Sequence, residues 1–318
     1  MKADEATWIF PSNIRYKFLP NSSKTKKRLT KSGLIFYEPD SALIIRLNRK
    51  ETEAILGKVF WDRLDDFCET VHLEISSKCN LHCDYCYVAK DNRELTTEEW
   101  QRIIKDLKDY GVLQVSFGGG EPLLRTDVFE LAQYCNEIGL NVTMTTNGML
   151  VMNFAKTQYS LFKQVNVSWQ GHNDIWPALR YLKESTATGI NFIMHKRYIQ
   201  DLETVAKKAK ELDAELLLLA YKPVKGDFEN VIAPGLVFET AKKVYENGLK
   251  VAIDGPCLGL CLAAKRFCDV HSNGDVSVCS FVRKAIGNLT EKPFKHIWCT
   301  RPKNIMCPYF KTRSHYEE

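Results

Sequence analysis

The chain has 318 residues, 45% hydrophobic and 26% charged, with a formal net charge of +5. It can bury a sizeable core in one large domain or two to three smaller ones, and its apolar stretches are strand-sized, well short of the roughly 20 residues a membrane span needs. Eleven cysteines in a long chain with no secretion signal argue against a disulfide framework and for a soluble, cytoplasmic protein that binds metal.

Residues 1–60 read as a separate appendage. The basic excess is concentrated there, with eleven Lys/Arg against four Asp/Glu in residues 1–50. The run KTKKR (24–28) has no interleaved aromatic residues, so it reads as a solvated basic loop rather than a nucleic-acid site. GLIFYEPDSALIIRLN predicts two strands about a turn, followed by a short helix in RKETEAILG. From residue 70 to 221 strands and helices alternate. Strands are expected at VHLEIS, LQVSF, NVTMTT, QVNVSW, INFIMH and ELLLLAY, with helices at 96–111, 126–139, 150–162, 174–188 and 201–213. Thr96 or Thr97 caps the first helix and Gly111 ends it. Six strands joined by helical crossovers specify a parallel α/β sheet, a partial (β/α)6 barrel of the TIM-like kind, with its chemistry at the C-terminal strand ends. The core is expected over 61–235. Beyond it, 236–318 reads as a small α+β extension, with a helix at 236–248, the strand KVAID, a hairpin about SNGD and a last helix near 291–298.

Cys79, Cys83 and Cys86 crowd into EISSKCNLHCDYCYVAK directly after the first strand. A zinc site wants four ligands, usually as two Cys/His pairs, and no second pair stands here. Three thiolates suit a [4Fe–4S] cluster with one iron left open. The CxxxCxxC run, with Tyr85 before its last cysteine, resembles the signature of the radical S-adenosylmethionine (SAM) superfamily. FGGGEP (117–122) resembles that family's GGE motif, and TTNG (145–148) and VSWQG (167–171) resemble further family segments, the last usually closer to SLDG. The resemblance implies that SAM binds the open iron, that Gly118, Gly119 and Gly120 let backbone approach it, and that Glu121 accepts a bond from its amino group. It also implies that Pro122 stiffens the turn, that Tyr85 packs near the adenine, and that Thr146, Asn147 and Ser168 are further SAM contacts. An electron from the cluster then cleaves SAM to methionine and a 5′-deoxyadenosyl radical, which abstracts hydrogen from a substrate.

Cys257, Cys261, Cys268, Cys279, Cys299 and Cys307 form a second group that resembles the SPASM/twitch extensions of radical SAM enzymes. The resemblance implies one auxiliary [4Fe–4S] cluster, held by Cys261, Cys279 and two of Cys257, Cys299 and Cys307. Cys268 is in phase with a strand and reads as buried, as do the isolated Cys68 and Cys135. Zinc at this second group stays open as an alternative.

Relatives of this kind act on peptides, sugars and haem precursors. The appendage looks somewhat like part of the small domains that dock leader peptides by strand addition, so a peptide or protein substrate is expected, with a low-potential donor of the ferredoxin or flavodoxin type. The alternatives are a radical SAM dehydrogenase or cofactor-biosynthesis enzyme acting on a small metabolite, and a non-catalytic zinc or iron–sulfur module contacting nucleic acid. No acid, base or relay residue stands out in the sequence; Tyr221, Lys222 and His195 lie near strand ends.

Overall fold

In the computed structural model, residues 24–41, 43–61, 64, 67–90, 93–171, 173–258, 261–303 and 307–309 are described. The first unit, Met1–Phe67, holds an antiparallel sheet of β1 (Lys26–Thr30), β2 (Gly33–Glu38) and β3 (Leu43–Leu47), then α1 (Arg49–Leu56). Leu34, Phe36 and Leu47 form its core. Gly33 has φ +136° and sits where a Cβ would lie 1.9 Å from Leu47 O, so only glycine allows the β1–β2 turn to close against β3. Asn48 and Glu51 make a reciprocal capping box at the start of α1. The strand pair and helix agree with the sequence. The basic run does not form a loop: Lys26, Lys27 and Arg28 pair with Tyr37, Phe36 and Ile35. Charged side chains on an edge strand block further pairing, and the pairing was invisible because the run carries no apolar alternation.

The second unit, Cys68–Glu318, carries one ten-stranded sheet. Its parallel series is β4 (Thr70–Ser76), β5 (Gln114–Gly119), β6 (Asn141–Thr146), β7 (Gln164–Trp169), β8 (Ala187–Met194), β9 (Glu215–Ala220) and β10 (Val251–Ile253). The helices are α2 (Thr97–Tyr110), α3 (Val128–Glu137), α4 (Trp176–Leu182), α5 (Leu202–Glu211) and α6 (Pro234–Glu246). Val71, Leu73 and Ile75 of β4 join the main core with Trp100, Ile104 and Leu107 of α2. The intervening His72 and Glu74 therefore project to the opposite face. The helix expected over 150–162 is two 3-10 segments, Val151–Asn153 and Lys156–Leu161, separated by an extended Phe154. The helix expected over 174–188 is shorter, because β8 begins at Ala187.

The expected boundary at 235/236 does not separate compact units. α6 and β10 continue the parallel series past β9. At the other edge β11 (Phe267–Val270) runs parallel to β4, and β12 (Asp275–Cys279) and β13 (Val282–Asn288) follow antiparallel, before α7 (Phe294–Thr300). An open barrel has two unpaired edges, and here the extension covers both. The SNGD turn is the β11–β12 hairpin, with Gly274 at φ +92°.

Candidate functional site

The loops after β4, β5, β6 and β7 are tied to one another by hydrogen bonds. Gly120 N donates to Ser76 O and Glu121 N to Lys78 O, both at 2.8 Å, which docks the glycine loop on the start of the cysteine loop. Asn147 N and Thr146 Oγ1 donate to Glu121 at 2.8 Å. Asn147 Nδ2 reaches Asn80 Oδ1 at 2.7 Å, inside the cysteine loop, and Asn173 Nδ2 joins Asn147 O to Ser168 O. Arg125 donates to Ile75 O and Leu95 O, both at 3.0 Å, and anchors the end of β4 from below. Glu94 accepts from Ser76 Oγ and Ser77 N.

The glycines have immediate structural reasons. A Cβ at Gly118 would lie 2.2 Å from His72 Nε2, at Gly119 2.3 Å from Ser76 O, and at Gly120 2.0 Å from Lys78 O. Glu121 has no exposed surface, and burial raises its carboxyl pKa although three N–H and O–H donors oppose the shift. Its oxygens accept from Leu123 N, Thr146 Oγ1 and Asn147 N, so Glu121 joins the second and third strand-end loops. Pro122 opens the 3-10 turn Pro122–Leu124, as a stiffened turn requires. Tyr85 is half-buried, edge-on to Tyr198 at 6.4 Å, and Ser168 is half-buried near the end of β7.

Sulfur environments divide into two kinds. Cys79 Sγ accepts from Leu81 N at 3.4 Å, and Cys279 Sγ from Val282 N at 3.3 Å. A backbone N–H aimed at sulfur stabilises the thiolate form that a metal takes. Cys257 and Cys68 instead donate, to Leu218 O and Thr70 O at 3.5 Å, and a donor must keep its proton. Burial raises the pKa of Cys79 and Cys83, which also sense one another and Cys86, so the three thiols share one neighbourhood. Cys261, Cys279 and Cys307 line a second pocket with Lys303. Cys257 is buried and does not line it, Cys299 is exposed on α7, and Cys268 faces Cys68 at 3.9 Å with both fully buried. Cys261 and Cys279 line one and the same pocket. Of the three further candidates, the pocket takes in only Cys307.

A superfamily model described as radical SAM matches residues 73–222, and an iron–sulfur cluster-binding model, SPASM, matches 261–317. The chain carries a radical SAM domain and a SPASM domain. It is 28% identical over 172 residues to a PqqA peptide cyclase of Bradyrhizobium diazoefficiens, covering 47% of this chain and 45% of that one, so it spans about half that relative's length. It is 26% identical over 281 residues to the AdoMet-dependent heme synthase of Methanosarcina barkeri, covering 71% and 80%. Its fold matches Streptococcus suis SuiB bound to precursor peptide SuiA, with a TM-score of 0.72 at 18% identity over 88% of each chain.

A radical SAM domain takes a [4Fe–4S] cluster with SAM, and a SPASM domain takes auxiliary iron–sulfur clusters. The residues present fit both. Three cysteines sit in the loop after β4, with the exposed His82 the one other common metal donor type interleaved apart from Asp84, and three more line the second pocket.

The sequence reading of this radical SAM chain missed a buried polar group on the inner face of the sheet. His72 Nδ1 donates to Asp269, its register partner on β11, and Ser280 Oγ lies 3.1 Å from Asp269 Oδ1 and 3.3 Å from His72 Nδ1. Glu74 pairs with Arg283 at 2.6 Å, and His271 Nδ1 lies 3.3 Å from Glu74 Oε2. The His72 side chain is 22% exposed while Asp269 is fully buried, so the imidazole is the group presented outward. Burial opposes the charged form of His72, but Asp269 and Glu74 outweigh it and raise the pKa. The available signal was VHLEIS itself: two ionisable residues at i and i+2 in a central parallel strand occupy a face that is normally apolar. Of the strand-end residues singled out earlier, His195 is held by Arg197 N at 3.0 Å and burial lowers its pKa. Tyr221 donates to Asp227, and Lys222 pairs with Asp254 at 2.9 Å.

Among the described residues, no helix is long and apolar enough to cross a membrane.

Proposed function

We propose that the chain is a radical SAM enzyme that modifies a peptide or protein. The observation that carries the catalytic part is the joined set of strand-end loops, in which three thiols, three glycines and the Glu121–Asn147–Asn80 linkage lie together. Bound there, the cluster and SAM supply a 5′-deoxyadenosyl radical that abstracts hydrogen from the substrate. Cys79, Cys83 and Cys86 hold iron; Tyr85, Gly118, Gly119, Gly120, Pro122, Thr146, Asn147 and Ser168 shape the SAM pocket. Glu121 fixes the loop that carries Asn147. His72 presents Nε2 at the level of Gly118 and can hold a proton on the substrate side of that pocket, oriented by Asp269.

The peptide part of the reading is supported by relatives that act on or bind peptides, the PqqA cyclase and SuiB, and by the basic excess of residues 1–50. A low-potential ferredoxin- or flavodoxin-type protein supplies the electron. A second reading, a tetrapyrrole substrate, is favoured by the longer alignment to the heme synthase. The test is anaerobic: protein reconstituted with iron and sulfide is given dithionite, SAM and, separately, candidate precursor peptides or an iron porphyrin. Formation of 5′-deoxyadenosine with a mass change in a peptide is the expected result. A mass change confined to the porphyrin moves the assignment to the second reading, and no SAM cleavage with bound iron overturns both.

A further inference from the structure

The buried polar group behind His72 contains two carboxylates and an imidazole that the radical SAM chemistry does not use. His72 on β4 and Asp269 on β11 are register partners, so strand alternation places Glu74, Asp269 and His271 on one face of the sheet. Glu74 and Asp269 have no exposed surface, and His271 is 3% exposed. One ligand atom from each of the three lies within 4.8 Å of the other two.

Each residue has one atom fixed by a neighbour and another left over. Arg283 Nη1 donates to Glu74 Oε1 at 2.6 Å. His72 Nδ1 and Ser280 Oγ both donate to Asp269 Oδ1. His271 Nε2 lies 2.8 Å from Ser277 Oγ, and the Ser277 hydroxyl donates its only proton to Cys279 O at 2.9 Å. The imidazole must therefore donate to the serine and carries a proton on Nε2. Left over are Glu74 Oε2 and Asp269 Oδ2, buried without a hydrogen-bond donor, and His271 Nδ1. Nδ1 faces Glu74 Oε2 at 3.3 Å, and His271 Nε2 is 3.7 Å from Asp269 Oδ2. A nitrogen lone pair set against a bare, buried carboxylate oxygen calls for a cation between them. Two donors each about 2.0–2.1 Å from one tetrahedral metal ion stand about 3.3 Å apart, which is the separation seen here.

We infer that Glu74, Asp269 and His271 bind a divalent first-row metal ion at a site separate from both cysteine groups. Oxygen and imidazole donors suit manganese, iron(II) or zinc. Ser277 fixes the tautomer and ring orientation of His271, while Arg283 and His72 hold the two carboxylates from their other oxygens. Three protein ligands leave a coordination position for water. The path from solvent runs beside His72 and Arg283, whose side chains are 22% and 21% exposed. Bound there, the ion ties β4, from which the first cysteine loop departs, to β11 of the SPASM side.

The test uses Mn2+ alone as the probe. The full chain is stripped with chelator, its clusters are reconstituted anaerobically and left oxidised, and Mn2+ is titrated in. About one tightly held ion per chain is expected, with electron spin-echo modulation from a histidine nitrogen that shifts to the 15N frequency in chain made with 15N-histidine. His271→Gln should abolish that modulation. Ser277→Ala keeps all three ligands and should weaken Mn2+ binding by about 10–100-fold. A parent chain that holds no Mn2+ after desalting overturns the site without any variant having to fold. Modulation that survives His271→Gln, or unchanged affinity in Ser277→Ala, overturns it as well. SAM cleavage is measured on the same samples: a chain that cleaves SAM and holds no Mn2+ loses this site alone and keeps the radical SAM reading.

Discussion

Alanine at positions 118, 119 and 120 meets three different obstacles, and the difference is measurable. At 118 the new methyl meets His72 Nε2, the far end of a side chain that can rotate. At 120 it meets Lys78 O, and at 119 Ser76 O with φ at +111° as well. Backbone cannot yield without breaking the bonds Gly120 N–Ser76 O and Glu121 N–Lys78 O. Gly119→Ala and Gly120→Ala are therefore each expected to cost about 1–3 kcal/mol in chemical denaturation and to lower iron uptake at the first site. Gly118→Ala should cost less and disturb His72 more. Equal losses at all three positions would contradict this account. His72 itself sets a pH dependence. Asp269 on β11 and Glu74 on β4 favour its imidazolium, Arg283 on β13 opposes it, and Ser280 faces the same nitrogen. Because the folded-state pKa is raised, the stabilisation is fully present below the unfolded value of about 6.5 and is lost as pH rises through the folded one. His72→Gln should thus destabilise more at pH 6 than at pH 9 when denaturation midpoints are compared with the parent. A pH-independent difference would show that the pair contributes no charge interaction.

Arg125 shows how one side chain positions an element. Its guanidinium satisfies Ile75 O and Leu95 O and pairs with Asp127, holding the end of β4 where the cysteine loop begins. Arg125→Met keeps much of the packing but leaves two carbonyls without this donor, at about 1–3 kcal/mol for a buried polar group stranded this way. The expected readout is a lower denaturation midpoint together with slower cluster reconstitution; a lower midpoint with normal reconstitution would separate Arg125 from the loop. The elements themselves were legible to different degrees. The parallel strands declared themselves as short β-branched runs between helical patterns, and α2 through its capping box at Thr96 and Glu99. The stretch 150–162 carried a helical apolar spacing, yet neither N-cap residue, Leu150 nor Ala155, supplies a side-chain cap, and an extended Phe154 splits it. β1 was hidden because pairing with β2, not its own composition, makes it a strand. At the site, the order of cysteine, glycine and TTNG motifs was readable because each follows a strand. Whether Glu121 points outward or inward, and whether Cys257 or Cys307 joins Cys261, depends on side-chain direction in three dimensions, which spacing does not encode.

Across the second unit, the continuity of the sheet makes a physical claim about cooperativity. β11 pairs with β4 through Phe267–Thr70, Cys268–Val71, Asp269–His72 and Val270–Leu73, so the strand preceding the first cysteine loop is an interior strand only because the SPASM region supplies its neighbour. Without residues 261–318, the β4 edge loses its hydrogen-bond partners, and His72 and Glu74 lose Asp269, Arg283 and His271. Stranded charges and an open edge are each destabilising, and together they favour aggregation. A chain ending at residue 258 is therefore expected to be insoluble or to bind no iron at the first site, although every residue of the radical SAM match is retained. In the intact chain, native-state hydrogen exchange should show β4 amides and β11 amides opening with the same free energy, as one unit. If β11–β13 exchange fully while β4 stays protected, the SPASM region is an independent module laid against a self-sufficient barrel, and its polar contacts with His72 and Glu74 would be consequences of docking and not conditions of folding.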